Sequence, residues 1–248
     1  MNLKNFIKNI IPTSMDLPLR YSYFKYFGRL DDEIAILENE LKKCNRAIDI
    51  GANIGIYSYA LSKLCKHVES FEPMPECAKM LTAYANSKNI TVHNIGLSNK
   101  TGNTDLYVPL IRGDSKLNIG LASVNDCGGE RECFEIPIQC LDNFNFSNVD
   151  FIKIDVEGHE LEVIEGALVT IRREKPIILV EIEQRHLATR KIEDVFSYIL
   201  SLGYNGGFYR KMNFYSLNTF SYEVDQEPYL NDINSKSYIN NFIFRPLL

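Results

Sequence analysis

The chain has 248 residues, 45% of them apolar and 24% charged, enough to bury one good-sized core and far from the composition of a disordered or fibrous protein. Its net charge of −5 argues against a generalised nucleic-acid surface. No apolar run approaches the length needed to cross a bilayer; the longest, Ile177 to Val180 with its neighbours, is far too short.

Six cysteines (Cys44, Cys65, Cys77, Cys127, Cys133, Cys140) show no C-x-x-C spacing, and no histidine pair completes a zinc pattern. The reading is reduced thiols in a cytoplasmic protein. Met1 to Ile11 has apolar residues broken by Lys4, Asn5, Lys8 and Asn9, without a small-residue cleavage site, so no secretory signal is expected.

Leu3, Phe6, Ile7, Ile10 and Ile11 fall at helical spacing and predict a helix ending before Pro12. An aromatic linker follows (Tyr21, Tyr23, Phe24, Tyr26, Phe27). Asp31 and Asp32 then open a helix through about Lys43, acids first and lysines last as the macrodipole prefers. Residues 1–45 thus read as a helical extension of a main domain over 46–248.

From Arg46 the pattern becomes strand (Arg46 to Ile50), helix (Gly55 to Leu64), strand (His67 to Phe71), helix (Pro75 to Ser87), strand (Ile90 to Ile95). Such alternation gives a parallel sheet covered on both faces, with the strand ends gathered in one crevice. Between Gly96 and Cys140 the rhythm changes to short strands at Asp105 to Pro109 and Phe134 to Gln139. They flank a glycine-bearing loop, 111–133, which reads as a candidate lid. The α/β rhythm resumes with a strand over Val149 to Asp155, a helix over Gly158 to Arg173 and a strand over Pro176 to Glu183. A helix over Glu193 to Leu202 is stopped by Gly203. Aromatic-rich strands near Gly207 to Phe214 and Tyr238 to Phe244 are consistent with an antiparallel pair at the sheet edge.

The stretch Asp49-Ile50-Gly51-Ala52-Asn53-Ile54-Gly55 reads as strand, tight turn and helix start. Gly51 lets the turn close, Asn53 tolerates left-handed backbone angles, and Gly55 lets the helix pack closely on the sheet. A dinucleotide fingerprint would need glycine at Asn53 and Ile56, which weakens the pyrophosphate reading. What stands instead is Asp49 before the turn and an acid 23 residues later, Glu72, with Pro73 beside it. An acid there accepts hydrogen bonds from both ribose hydroxyls, and the ligand with an adenosine ribose and no phosphate is S-adenosylmethionine. Asp49 reads either as a strand-end residue bonding the turn or as a partner of that ligand's ammonium.

Taken together, five segments resemble the FkbM-type S-adenosylmethionine-dependent methyltransferases. They are residues 47–58, Phe71-Glu72-Pro73-Met74-Pro75-Glu76, Asn94-Ile95-Gly96-Leu97-Ser98, Phe151-Ile152-Lys153-Ile154-Asp155-Val156-Glu157-Gly158-His159-Glu160, and Ile177-Ile178-Leu179-Val180-Glu181-Ile182. The resemblance covers roughly 46–183. It implies an α/β, Rossmann-like class I methyltransferase fold, a mostly parallel seven-stranded sheet with helices on both faces and an antiparallel closing strand. It also implies methyl transfer from S-adenosylmethionine to oxygen, often on saccharides, glycolipids or natural products. By position, Gly51, Asn53 and Gly55 would form the cofactor turn, Glu72 the ribose clamp, and Leu97 a backbone contact to adenine.

The segment from Asp155 to Glu160 lies at a strand's carboxyl end. Methyl transfer is an in-line displacement whose largest need is alignment, worth roughly 7 to 11 kcal/mol, with a general base adding perhaps 10²- to 10⁴-fold. Asp155, His159 and Glu181 are the candidate catalytic residues. Glu157 and Glu160 read more simply as acids at a helix start. A divalent cation is compatible with Asp155, Glu157 and Glu181, but no metal site is predicted. Arg112, Lys116 and Arg131 read as a solvated loop, and the aromatics from Tyr204 to Tyr222 as core and edge packing. The rival functions are a nucleotide-dependent sugar oxidoreductase and a cofactor-binding partner without catalysis.

Overall fold

In the strand Cys44–Ile50 (β1) every residue from Ala47 onward is buried, on both faces, which is what a central parallel strand demands of its sequence. A computed structural model describes residues 13–28, 30–85, 88–110, 117–118, 122–125, 128–233 and 235–247. In chain order the elements are helix α1 (Thr13–Tyr26), helix α2 (Asp32–Glu40), β1, helix α3 (Ile56–Leu61), strand β2 (Cys65–Phe71), helix α4 (Pro75–Ala85) and strand β3 (Ile90–His93). Strands β4 (Gly96–Leu97), β5 (Gly102–Pro109), β6 (Arg131–Gln139) and β7 (Val149–Ile154) follow, then helices α5 (Glu160–Glu165) and α6 (Leu168–Glu174) and strand β8 (Ile177–Glu181). Helix α7 (Ile192–Ser201), strands β9 (Tyr204–Arg210) and β10 (Asn213–Ser216), the short helix α8 (Tyr222–Asp225) and strand β11 (Asn241–Pro246) complete the chain.

The described strands form an eight-stranded sheet in the order β10-β9-β11-β8-β7-β1-β2-β3 and a separate three-stranded sheet, β4-β6-β5. Pairs from β8 through β3 are parallel; β11 enters antiparallel between β8 and β9, and β10 folds back on β9. The expected seven strands are therefore eight. The segment read as one strand over Gly207 to Phe214 is a hairpin, turned by Lys211 and Met212 in left-handed conformations.

Alternate residues build the two faces, as the strand period requires. Ile48, Ile50, Ile152, Ile154, Ile178 and Val180 face a core closed by α5, α6 and α7. Ala47, Phe151, Leu179 and Ile243 face the other, closed by α1 to α4 through Leu17, Ile34, Leu37, Leu61 and Leu81. Helix α7 shows why: Ile192, Val195, Phe196 and Ile199 are buried at spacings of three and four. A third apolar cluster (Leu106, Val108, Ile136, Ile138 with Met74 and Cys77) lies under the small sheet.

Three expectations give way. The aromatic linker falls largely within helix α1, despite Pro18 in that helix; Tyr23 and Tyr26, and Phe27 just beyond, stay exposed, so no apolar stripe announced the helix. The single helix over Gly158 to Arg173 is two, because Asp142 accepts hydrogen bonds from Val169 N, Thr170 N and the Thr170 hydroxyl and starts a new helix there. Cys44 and Cys65, register partners at the starts of β1 and β2, form a disulfide rather than two thiols. Parallel neighbours with Cα atoms 4.5 Å apart allow that bond, and sequence spacing alone does not reveal such a register. The helix expected before Pro12 and residues 111–116, 119–121 and 126–127 of the 111–133 loop lie outside the described residues. No described helix is long and apolar enough to cross a membrane.

Candidate functional site

β1 lies between β2 and β7, and the connections leaving it and β7 diverge, so their carboxyl ends open a crevice. Gly51 closes the β1 turn with φ +77°; a Cβ there would land on the Asp155 carbonyl at the end of β7, so only glycine lets the two strand ends approach. Asn53 follows at φ +49°, in the left-handed region. The crevice is a cleft of about 700 Å³, solvent at its mouth included, walled by Gly51, Asn53, Phe71, Glu72, Pro73, Leu97, Asp155, Glu157 and His159 on the sheet side. Leu106, Ile136 and Ile138 of the small sheet and Ala122 and Val124 of the loop face them.

Glu72 is the polar end of this largely apolar slot. One carboxylate oxygen accepts the Asn53 N–H at 2.7 Å and the other the Met74 N–H at 2.8 Å, so the turn and the acid fix each other. Each oxygen keeps lone-pair capacity for a further donor. Burial pushes the Glu72 carboxyl up to about 7, the two backbone N–H bonds opposing the rise.

Asp49 and Gly55 do not line the cleft. Asp49 is buried and accepts the Ser58 hydroxyl at 2.5 Å, with the Ser70 hydroxyl 2.8 Å beyond, and burial raises its carboxyl to about 6. Gly55 opens α3, packed against Leu81 and Leu17. Leu97 and Pro73 do line it. The His159 ring bonds the Ser98 hydroxyl through Nε2 at 2.9 Å and has Glu162 3.6 Å from Nδ1. Burial lowers its pKa, so the ring is neutral near pH 7.

Below Asp155 lies a residue the motif reading passed over. The Lys153 side chain is 1% exposed, with Nζ 3.8 Å from Asp155 Oδ2, 3.7 Å from Glu181 Oε2 and 5.0 Å from the centre of the Tyr57 ring. Burial alone would lower its pKa, but Asp155 and Glu181 outweigh burial and hold it above the usual lysine range. Both carboxyls are raised, chiefly by burial and then, for Glu181, by Asp155 itself. Glu181 also accepts from Asn240 at 2.6 Å. A charge inside the apolar run Phe151 to Ile154 was the signal for Lys153.

Glu181 opens onto a second, larger cavity, about 1830 Å³ with its open mouth, between the N-terminal helices and the residues Ile233 and 235–241. Asp31, Glu33, Glu181 and Glu183 line it, and Glu157 lines both spaces. Glu157 stands at φ +51° and Gly158 at φ +96°; a Cβ on Gly158 would meet the His186 carbonyl, so this corner is held between two loops. The loop also fastens here: the Ser123 hydroxyl donates to the Glu157 carbonyl at 2.6 Å and Asn125 Nδ2 to the Gly158 carbonyl at 3.0 Å. Sequence reasoning missed Glu33, Glu183 and His186 as well. The acid-x-acid ending of β8 hinted at Glu183, but nothing in the local pattern marks His186.

The sequence profile of the methyltransferase FkbM domain matches residues 49–205. The hexuronic acid methyltransferase AglP of Haloferax volcanii is 30% identical over 142 residues, 54% of this chain and 55% of that protein. Among solved structures, the methyltransferase FkbM from Methylobacillus flagellatus KT superposes with a TM-score of 0.54 at 18% identity, over 94% of this chain and 55% of that one. The chain thus spans about half the length of these two relatives, and the structural likeness speaks to the fold. An rRNA methylase from Streptococcus thermophilus gives a TM-score of 0.47 at 12% identity, over 87% of this chain and 95% of that one.

Proposed function

Because the chain belongs to the methyltransferase FkbM domain family, we propose that it moves the methyl group of S-adenosylmethionine to a hydroxyl of a saccharide or a related glycan or natural-product precursor. The observation that carries this reading is the meeting of two spaces at Glu157, one an apolar slot that Asp155 also lines and a carboxylate ends, the other a roomy polar cavity. The relative AglP, named for a hexuronic acid, supports a saccharide-type acceptor.

The residues present fit the cofactor. Glu72 offers two preoriented acceptor oxygens for a ribose, at the end of a strand, and Phe71, Leu97 and Ile138 offer apolar walls for a base. Gly51 and Asn53 keep the turn low enough for a ligand to lie on its backbone. Asp49 serves from behind, through Ser58, by fixing α3 against the turn. When bound, S-adenosylmethionine supplies an electrophilic methyl on a sulfonium.

The chain's own part is alignment and proton removal. Asp155 faces the slot with a third of its side chain exposed, and Glu181 faces the cavity. Either carboxylate can take the acceptor's hydroxyl proton, which would leave that oxygen the nucleophile toward the methyl group the cofactor would supply. Lys153 holds the two carboxylates in register beneath the junction. His159, neutral and bonded to Ser98, shapes the slot wall.

The test is transfer of labelled methyl to saccharide acceptors. Asp155→Asn is expected to lower kcat by on the order of 10²- to 10⁴-fold while S-adenosylhomocysteine binds as before. Transfer to nitrogen or carbon acceptors alone would overturn the proposal, as would binding of NAD in preference to S-adenosylmethionine.

A further inference from the structure

The second cavity is lined by more acidic than basic side chains, with Glu183 buried among them and Glu33, Glu157 and Glu181 half-buried. Asp31, Asp32, Glu33, Glu157, Glu181 and Glu183 line it together with Arg185, Lys211 and Lys236; Lys153 lies against Glu181, Arg185 against Glu183 and Lys236 against Asp32. Buried carboxylates without counter-charge are costly, and a cation is the most direct relief.

At one corner the arrangement is more specific than an excess of acid. Glu157 comes from the loop after β7; Glu183 and His186 come from the loop after β8. Each offers one ligand atom, and the three atoms lie within 4.8 Å of one another. Two hard carboxylates and one imidazole nitrogen form a mixed donor set, supplied by two separate loops. His186 Nδ1 already contacts the Glu157 carboxylate. Glu183 is 5% exposed; one of its oxygens accepts from Arg185 and Tyr238. The other has Asn240 Nδ2 at 3.5 Å, the limit of a hydrogen bond, so it retains capacity for a ligand.

We propose that Glu157, Glu183 and His186 form a binding site for a divalent first-row cation, of the Mn²⁺ or Zn²⁺ kind. The imidazole favours such ions over Mg²⁺ and Ca²⁺, which take oxygen ligands. Metal at His186 Nδ1 replaces the hydrogen bond to Glu157, while Arg185 and Tyr238 remain on the far oxygen of Glu183 and orient it. Three protein ligands leave positions open to an incoming oxygen. Because Glu157 borders both spaces, the open side adjoins the junction where an acceptor hydroxyl would lie. The cation would bind that hydroxyl, acidify it and fix its direction. This last role rests on the methyl-transfer reading; the site itself does not.

Untagged, EDTA-treated protein is titrated with Mn²⁺ and followed by the loss of the free-ion electron paramagnetic resonance signal, with thermal shifts for Mn²⁺, Zn²⁺, Mg²⁺ and Ca²⁺ in parallel. One Mn²⁺ per chain is expected, with Mn²⁺ and Zn²⁺ raising the melting temperature more than Mg²⁺ or Ca²⁺. Glu183→Gln and His186→Ala should each weaken Mn²⁺ binding by about tenfold or more, while binding of S-adenosylhomocysteine persists as the control for folding. Should His186→Ala not fold, His186→Gln carries the same expectation. No binding of Mn²⁺ or Zn²⁺ at about 1 mM, or binding unchanged in the folded variants, overturns the site. Since only metal binding is read, failure here is distinguishable from failure of methyl transfer.

Discussion

Glu72 concentrates at one residue the argument for the ligand. Its two oxygens are held by backbone N–H groups, and ribose hydroxyls would donate to the ionised form. Its pKa, raised to about 7 by burial, means that binding a hydroxyl pair requires losing a proton below that pH. Affinity for S-adenosylhomocysteine should therefore rise with pH through about 7, and be roughly tenfold weaker at pH 6 than on the alkaline plateau. Calorimetry across this range checks it, and Glu72→Gln should remove the dependence along with most of the affinity. Glutamine has one acceptor oxygen for two backbone donors, so this variant should also be destabilised by about 1 to 3 kcal/mol. Lys153 makes a second case. Replacing it by methionine leaves Asp155 and Glu181, both half-buried, without their cation, for a cost of about 1 to 3 kcal/mol by urea unfolding.

At the scale of elements, the turn between β1 and α3 and the corner after β7 depend on each other. Gly51→Ala would drive a methyl into the Asp155 carbonyl at a positive φ. The summed strain and overpacking should cost roughly 2 to 4 kcal/mol, with S-adenosylhomocysteine binding lost even where the variant folds; denaturant unfolding and thermal shift measure the two. These elements were the most legible in the sequence, because continuous apolar runs and glycine at strand ends report the local backbone directly. The starts and ends of β1, β2, β7 and β8 were read to within a few residues. Helix α1 was not, since Tyr23 and Tyr26 face solvent and it carries a proline. The break before α6 depends on Asp142, 26 residues before Leu168 in sequence, and the insertion of β11 beside β8 depends on pairing across some sixty residues. Local pattern contains neither. Glu72, Asn53, Leu97, Asp155 and His159, all named from local pattern, line one cleft in the structure, whereas Glu183 and His186 became visible only once two loops met.

For the whole molecule, the fastening and the candidate chemistry occupy opposite ends of the same strands. The Cys44–Cys65 bond joins the beginnings of β1 and β2, while Gly51 and Glu72 follow their other ends. Closing a loop of 21 residues should stabilise the fold by about 3 kcal/mol. Reduction, or Cys65→Ser, is expected to lower the melting temperature while affinity for S-adenosylhomocysteine is retained; equal loss of both would refute the separation.

The two spaces also differ in how far apart in the chain their walls lie. The slot takes its residues from 50 to 159, but the cavity needs Asp31 to Glu33 and Ser235 to Asn241 together. During vectorial synthesis the donor half can therefore assemble while the acceptor half still awaits about eighty residues. On the proposed reading, the residues that line the donor side all leave the ribosome before those that complete the acceptor side.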